Sequence, residues 1–240
     1  KGRMVALVGD AELDEGNVYE CLQEGWKHDL RNVWWIIDYN RQSLDGVVHE
    51  GLSERLSSVF EAFGWNLIVL KYGRLQKDAF KEPGGNLLKK WIDDCPNQLY
   101  SALIYEGGAA FKKRVLDDIG DQDIVSKLIN KRSDNDFLEL MANLGGHCVP
   151  TLCDAFNGIK DDKPTAFIAY TIKGWGTPLA GHKDNHAGLM TKIQMDSFKS
   201  KFDHLWVHGL VHLLGYDHKK EKEFLKMNQL EKKYLNIINA

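Results

Sequence analysis

The 240-residue sequence contains no Cys-x-x-Cys pair; its four cysteines are Cys21, Cys95, Cys148 and Cys153. In a chain of this size that pattern predicts reduced thiols in a cytosol rather than a disulfide framework. No apolar run approaches the roughly 20 residues a bilayer-spanning helix requires. Residues 33–37 (VWWII) are among the longest. The opening Lys1-Gly2-Arg3 passes almost directly into a strand-like run, so no signal peptide is expected, and a first residue of Lys reads as a start inside a longer gene product. There is no internal repeat and no low-complexity tract. A dominant charge is missing too: a net −3 points to no polyanionic partner for the whole chain. His147, Cys148 and Cys153 read as small side chains near a helix start rather than as metal ligands.

A hydrophobic fraction of 43% suffices for a core and argues against disorder. The length fits one large domain, or one medium domain with an appendage. Charge is unevenly spread. Residues 199–240 carry eight Lys against three Glu and two Asp, a net of +3, which leaves −6 on the first 198. That shift suggests a boundary near Lys199.

Apolar runs alternate with amphipathic stretches. Residues 4–9, 32–38 (NVWWIID), 66–72 and 165–173 (TAFIAYTIK) predict buried strands. Residues 13–28 and 52–63 predict helices, the second closed by Gly64. Residues 77–120 are helical in pattern, broken at Pro83-Gly84-Gly85 and at Pro96. Short helices are expected at 136–144 and 152–159. The implied fold is α/β, a parallel sheet with helices on both faces. Beyond 195 the expectation is a C-terminal helical appendage. It would consist of a helix over 202–214 and a Lys-rich amphipathic helix over 221–238, with Phe224, Met227, Leu230, Tyr234 and Ile237 as its apolar stripe.

Ligands of such sheets bind at the carboxyl ends of the strands. Here those ends carry Gly9-Asp10, Tyr39-Asn40 and Lys173-Gly174. Magnesium takes hard oxygen ligands, few of them from protein when phosphates provide the rest. Asp10 offers a carboxylate, Asn40 an amide oxygen, and Gln42 a further oxygen, expected from its main chain. Gly9 lets the backbone approach phosphates, and the helix beginning near Leu13 directs amides toward them. In Gly9-Asp10-Ala11, with Asn40 thirty residues after Asp10, the chain resembles the Gly-Asp-Gly…Asn fingerprint of thiamine-diphosphate enzymes. Ala11 departs from the usual Gly there. The segments GDAELDEGNVYE, NVWWIIDYNRQSLDG, FGWNLIVLKYG and YTIKGWGTPLAGHKDNHAGLMT resemble the homodimeric-type decarboxylating subunits of pyruvate dehydrogenase and their transketolase-like relatives, across about residues 4–196. The resemblance implies thiamine diphosphate and magnesium as cofactors, and a 2-oxo acid such as pyruvate as substrate. It further implies Asp10, Asn40 and the Gln42 carbonyl on the metal, with Gly9, Ala11 and Glu12 along the diphosphate. Residues 181–188 (GHKDNHAG) resemble the family's mobile active-site loop, with His186 the first candidate to face substrate and His182 the second. The glutamate that activates the cofactor lies in a pyrimidine-binding domain, usually of a partner subunit. No segment here is assigned to that domain, and no histidine precedes Gly9, so the chain is expected to hold half a site and to require a homodimer or partner domain.

A second constellation lies near the end. His208 and His212 are four residues apart on a helix, hence on one face, and His218 follows after Gly215. Three neutral imidazoles with an open position form a catalytic zinc arrangement. The residue after the first histidine is Gly209, so the helix provides no glutamate base there. LWVHGLVHLLGYDH resembles the signature of the YbeY family, single-strand endoribonucleases of ribosomal RNA maturation. By that resemblance His208, His212 and His218 are zinc ligands and the partner is RNA. The sequence thus divides as 1–196, a thiamine-diphosphate-binding domain, and 199–240, a fragment with the zinc motif. Three functional readings stand at this point: a thiamine-diphosphate-dependent dehydrogenase fragment, a zinc-dependent endoribonuclease, and an inactive chimeric fragment. A cytoplasmic chain with no membrane segment is expected in each.

Overall fold

The computed structural model describes residues 2–43, 46–47, 52–217 and 219–238. The chain divides into two compact units, Lys1–Gly188 and Leu189–Ala240.

In the first unit the apolar runs form β1 (Met4–Gly9), β2 (Val33–Tyr39), β5 (Asn66–Leu70) and β6 (Thr165–Tyr170); β3 (Gln42–Ser43) and β4 (Gly46–Val47) make a short separate hairpin. The four-stranded sheet is parallel throughout, in the order β1-β2-β6-β5. β6 is buried along its whole length, as expected of a central strand covered on both faces. On one face Trp35 and Ile37 of β2 pack with Leu22 of α1 (Gly16–Lys27) and with Leu56 and Phe60 of α2 (Leu52–Ala62). That core continues into a helical layer made of α3 (Arg74–Ala79), α4 (Gly85–Asp94), α5 (Asn97–Glu106), α6 (Gly108–Ile119), α7 (Asp123–Asn130) and α8 (Asp134–Ala142). On the other face Trp34, Leu70 and Phe167 meet Leu152, Ala155 and Phe156 of α9 (Val149–Gly158). Each such side chain, once buried, contributes about 1.5–3 kcal/mol. This second face is bare at β1, where Val5 is 52% and Leu7 76% exposed. Helices thus flank an all-parallel sheet, as the alternating pattern predicts.

Several elements differ from expectation. The helix predicted over 13–28 is preceded by a 3-10 turn, Ala11–Asp14, and begins only at Gly16. Glu15 is extended and separates the two, while Asp10 caps the turn through the Ala11 amide. The helix α7 was not anticipated, although Val125, Leu128 and Ile129 bury at helical spacing. In the second unit the helix predicted over 202–214 starts ten residues earlier: α10 is Lys192–Leu213. Its start is set by a capping box in which Thr191 and Gln194 satisfy each other's amides. The change of character expected near 196–199 therefore falls inside one continuous helix.

α11 (Glu221–Ile238) pairs with α10 in this second unit. Val207, Val211 and Met227 form its small core, with Leu230, Tyr234 and Leu235 packed against it. The buried stripe of α11 is turned from the predicted one: Phe224 and Ile237 are exposed, and Glu231 is buried in their place. Among the described residues no helix is long and apolar enough to cross a membrane. All four cysteines are free.

Candidate functional site

Parallel registry between β1 and β2 pairs Gly9 with Asp38. Asp10 and the turn Asn40-Arg41-Gln42 therefore leave the sheet side by side at its carboxyl end. Asp10 is 4% exposed. One of its oxygens accepts the Ala11 amide at 3.0 Å, the other the Arg41 amide at 2.6 Å. The Asn40 side-chain oxygen accepts the Gln42 amide at 3.0 Å, closing the turn on itself. Arg41 occupies the left-handed region with φ 66°, which turns its amide toward Asp10. Burial, and after it the neighbouring charge of Asp38, outweigh the hydrogen bonds and push the Asp10 carboxyl up to about 6. Ala11 is not among the residues with positive φ, so a Cβ is tolerated where the fingerprint has Gly. Glu12 reaches back to accept the Gly9 amide at 3.2 Å.

Sequence reasoning passed over Arg41. Its side chain is 8% exposed, donates to Asn97 Oδ1 at 3.2 Å and lies 5.6 Å from the rings of both Tyr100 and Tyr170. It ties the 40–42 turn to α5 and to the end of β6. A buried cation in a predicted loop has no sequence signal.

The segment after β6 folds back over α5. The Asn185 amide donates to the Lys173 and Leu179 carbonyls at 2.9 and 2.5 Å. Gly181, at φ 76°, approaches so closely that a Cβ would stand 2.5 Å from the Ser101 carbonyl oxygen. This creates a cavity of about 480 Å³ lined by Gln42, Gln98, Ser101, Tyr105, His182 and Lys183, among others. The His182 ring lies edge-on to Tyr105, centroids 4.5 Å apart. His186 is exposed and is not part of this lining. Of the two loop histidines, the fold brings His182 to the wall shared with Gln42.

His147 and Cys148 have local structural partners. His147 Nε2 accepts the Ile172 amide at 2.8 Å and the ring stacks on Trp175; burial lowers its pKa. Cys148 Sγ accepts the Arg74 amide at 3.3 Å.

In the second unit His208 and His212 share one face of α10. Their Nε2 atoms are 3.1 Å apart. His208 Nδ1 lies 2.6 Å from Glu231 Oε1, and His212 Nδ1 lies 2.9 Å from the Tyr216 carbonyl oxygen. His218 falls outside the described residues. Among the described residues no group of three or more His, Cys, Asp and Glu is placed to hold a metal.

Comparison with known proteins finds two kinds of similarity. The chain is 28% identical to the pyruvate dehydrogenase E1 component of Pseudomonas aeruginosa over 85% of this chain and 23% of that protein. It is 27% identical to that of Buchnera aphidicola subsp. Schizaphis graminum over 97% of this chain and 27% of that one. Against the Escherichia coli K12 component it is 26% identical over 83% and 22%. The chain spans about a quarter of the length of these relatives. Separately, the family described as Endoribonuclease YbeY matches residues 186–239. The two resemblances seen in the sequence are thus both present, and the endoribonuclease match begins at residue 186, ahead of α10.

Proposed function

We propose that residues 4–196 are the diphosphate-binding half of a thiamine-diphosphate- and magnesium-dependent enzyme that decarboxylates a 2-oxo acid such as pyruvate. The observation that carries this reading is the Asp10 carboxylate. It is buried at the carboxyl end of a parallel strand, bonded to the turn holding Asn40 and Gln42, and disfavoured as an anion by burial and by Asp38. A divalent cation offsets both penalties, so the donor set fits magnesium. Asp10, Asn40 and the Gln42 carbonyl would hold the metal, and Gly9, Ala11 and Glu12 would lie along the diphosphate. When bound, the cofactor supplies a thiazolium carbon and an electron sink for the loss of carbon dioxide. This chain's residues bind and orient: the Arg41 amide fixes the Asp10 carboxylate, and His182 faces the cavity beside Gln42 as a proton donor or acceptor, with His186 farther out on the same loop. A partner pyrimidine-binding domain, from a homodimer or another subunit, would complete the site.

Calorimetry of the purified chain with magnesium and thiamine diphosphate tests this. Binding that is lost in Asp10→Ala supports it; absence of heat, or binding indifferent to that substitution, removes it.

A second reading applies to residues 199–240. Two nitrogens of one tetrahedral zinc, each at roughly 2.0–2.1 Å, stand about 3.3 Å apart, close to the 3.1 Å between the Nε2 atoms of His208 and His212. In this reading those two, with His218, hold zinc, and the partner is single-stranded RNA. Zinc content that is unchanged by His212→Ala would exclude it. If both tests fail, the chain is an inactive chimera of two ancestries joined near 196–199.

A further inference from the structure

α11 repeats its inward positions at Met227, Leu230, Glu231, Tyr234 and Leu235. Four of these are apolar or aromatic and pack the small core of the second unit. The fifth is a carboxylate only 8% exposed. Burying a carboxylate costs several kcal/mol unless it finds a donor. Glu231 finds His208, whose Nδ1 lies 2.6 Å from Oε1 across 23 residues of sequence.

An ionised carboxylate has no hydrogen to give, and neither has a backbone carbonyl. With Glu231 as the acceptor, the hydrogen between His208 and Glu231 sits on His208 Nδ1. By the same argument, the hydrogen between His212 and the Tyr216 carbonyl sits on His212 Nδ1. In neutral rings both lone pairs are then on Nε2, and the two Nε2 atoms face each other 3.1 Å apart. The arrangement suits a cation between them.

We infer that Glu231 is a positioning residue. It holds His208 as the Nδ1–H tautomer and fixes the ring so that Nε2 joins His212 Nε2 at the metal-binding face. Glu231 contacts the ring edge remote from that face, so it orients the ligand and does not act as a base at the metal. A carboxylate in this position also raises the basicity of the imidazole it supports. The inference rests on the zinc reading of this unit and gives that reading a residue outside its three histidines.

The test uses the full-length chain, nitrogen-15 labelled and stripped of metal, with Glu231→Gln and Glu231→Met. Gln keeps an acceptor oxygen; Met keeps the volume and removes it. Long-range proton–nitrogen correlation at about pH 8, above the ordinary imidazole pKa of about 6.5, reports the tautomer of His208. Zinc affinity comes from competition with a chromophoric chelator, and helix content from circular dichroism. The expected result is an Nδ1–H tautomer in the wild type and in Glu231→Gln. Glu231→Met should shift toward Nε2–H with helix content retained, and its zinc affinity should fall about 10- to 100-fold. A Glu231→Met chain with the wild-type tautomer and affinity overturns the inference while the zinc reading stands. A wild-type chain that binds no zinc overturns the zinc reading and the inference with it. If Glu231→Met loses its helices, Glu231→Gln decides: an Nε2–H tautomer there overturns the inference.

Discussion

The amide of Arg41 donates to the Asp10 carboxylate at 2.6 Å, joining residues that lie just beyond the ends of two neighbouring parallel strands. This bond couples the two halves of the candidate magnesium site before any metal arrives. It also lowers the Asp10 pKa, yet burial and Asp38 outweigh it and leave the group at about 6.

Stability should therefore depend on Asp10 with a definite sign. The folded pKa is raised from 3.8 to about 6. The folded state thus holds the proton more tightly than the unfolded chain does. The associated stability is fully present below about pH 3.8 and is lost as pH rises through about 6. At 1.36 kcal/mol per unit the loss is at most about 3 kcal/mol. Urea unfolding of the wild type and Asp10→Asn across this range checks it: the wild type should lose ground to the variant as pH rises. Parallel curves for the two proteins would contradict it. Magnesium with thiamine diphosphate should restore the wild type and leave the variant unchanged.

Gly145 lies against the end of β5, where a Cβ would stand 2.2 Å from the Leu70 carbonyl oxygen. Gly145→Ala must push apart the sheet end and the turn before α9. A loss of about 1–3 kcal/mol is expected, the usual cost of overpacking. Thermal unfolding measures it, and a variant as stable as the wild type would show that the close approach is not needed.

The two loop histidines should respond differently to cofactor. His182 lines the cavity with Gln42, and His186 is exposed. Titration with magnesium and thiamine diphosphate should shift the His182 ring resonances and leave those of His186 in place. A larger shift at His186 would reverse their order.

Among the described residues of the second unit, the buried apolar side chains are Val207, Val211 and Met227. Met227→Ala should cost about 2–5 kcal/mol there and leave the sheet untouched. Hydrogen exchange should speed up along α10 and α11 while β6 keeps its protection; unchanged exchange in α10 would count against this core.

Much of the architecture is legible in the sequence because its signals are periodic. The runs at 4–9, 32–38, 66–72 and 165–173 alternate with helical stretches, and the strands of the parallel sheet form on them. The Thr191–Gln194 capping box was passed over, and it moves the start of α10 ahead of the expected boundary. The stripe of α11 was read correctly at Met227, Leu230 and Tyr234 but missed Glu231 and Leu235, because Glu231 looks like a surface residue until His208 is placed opposite it.

What the sequence determined by itself is local: strand and helix periods, the thirty residues from Asp10 to Asn40, and the four-residue step from His208 to His212. Such spacings survive because the geometry of strands and helices is repetitive. Tertiary structure alone decided which distant groups meet. It set Arg41 between Tyr100 and Tyr170, His182 beside Tyr105, and Glu231 behind His208. Each of these pairings spans more than twenty residues, and Arg41 and Glu231 draw their roles from burial, which no local pattern of residues encodes.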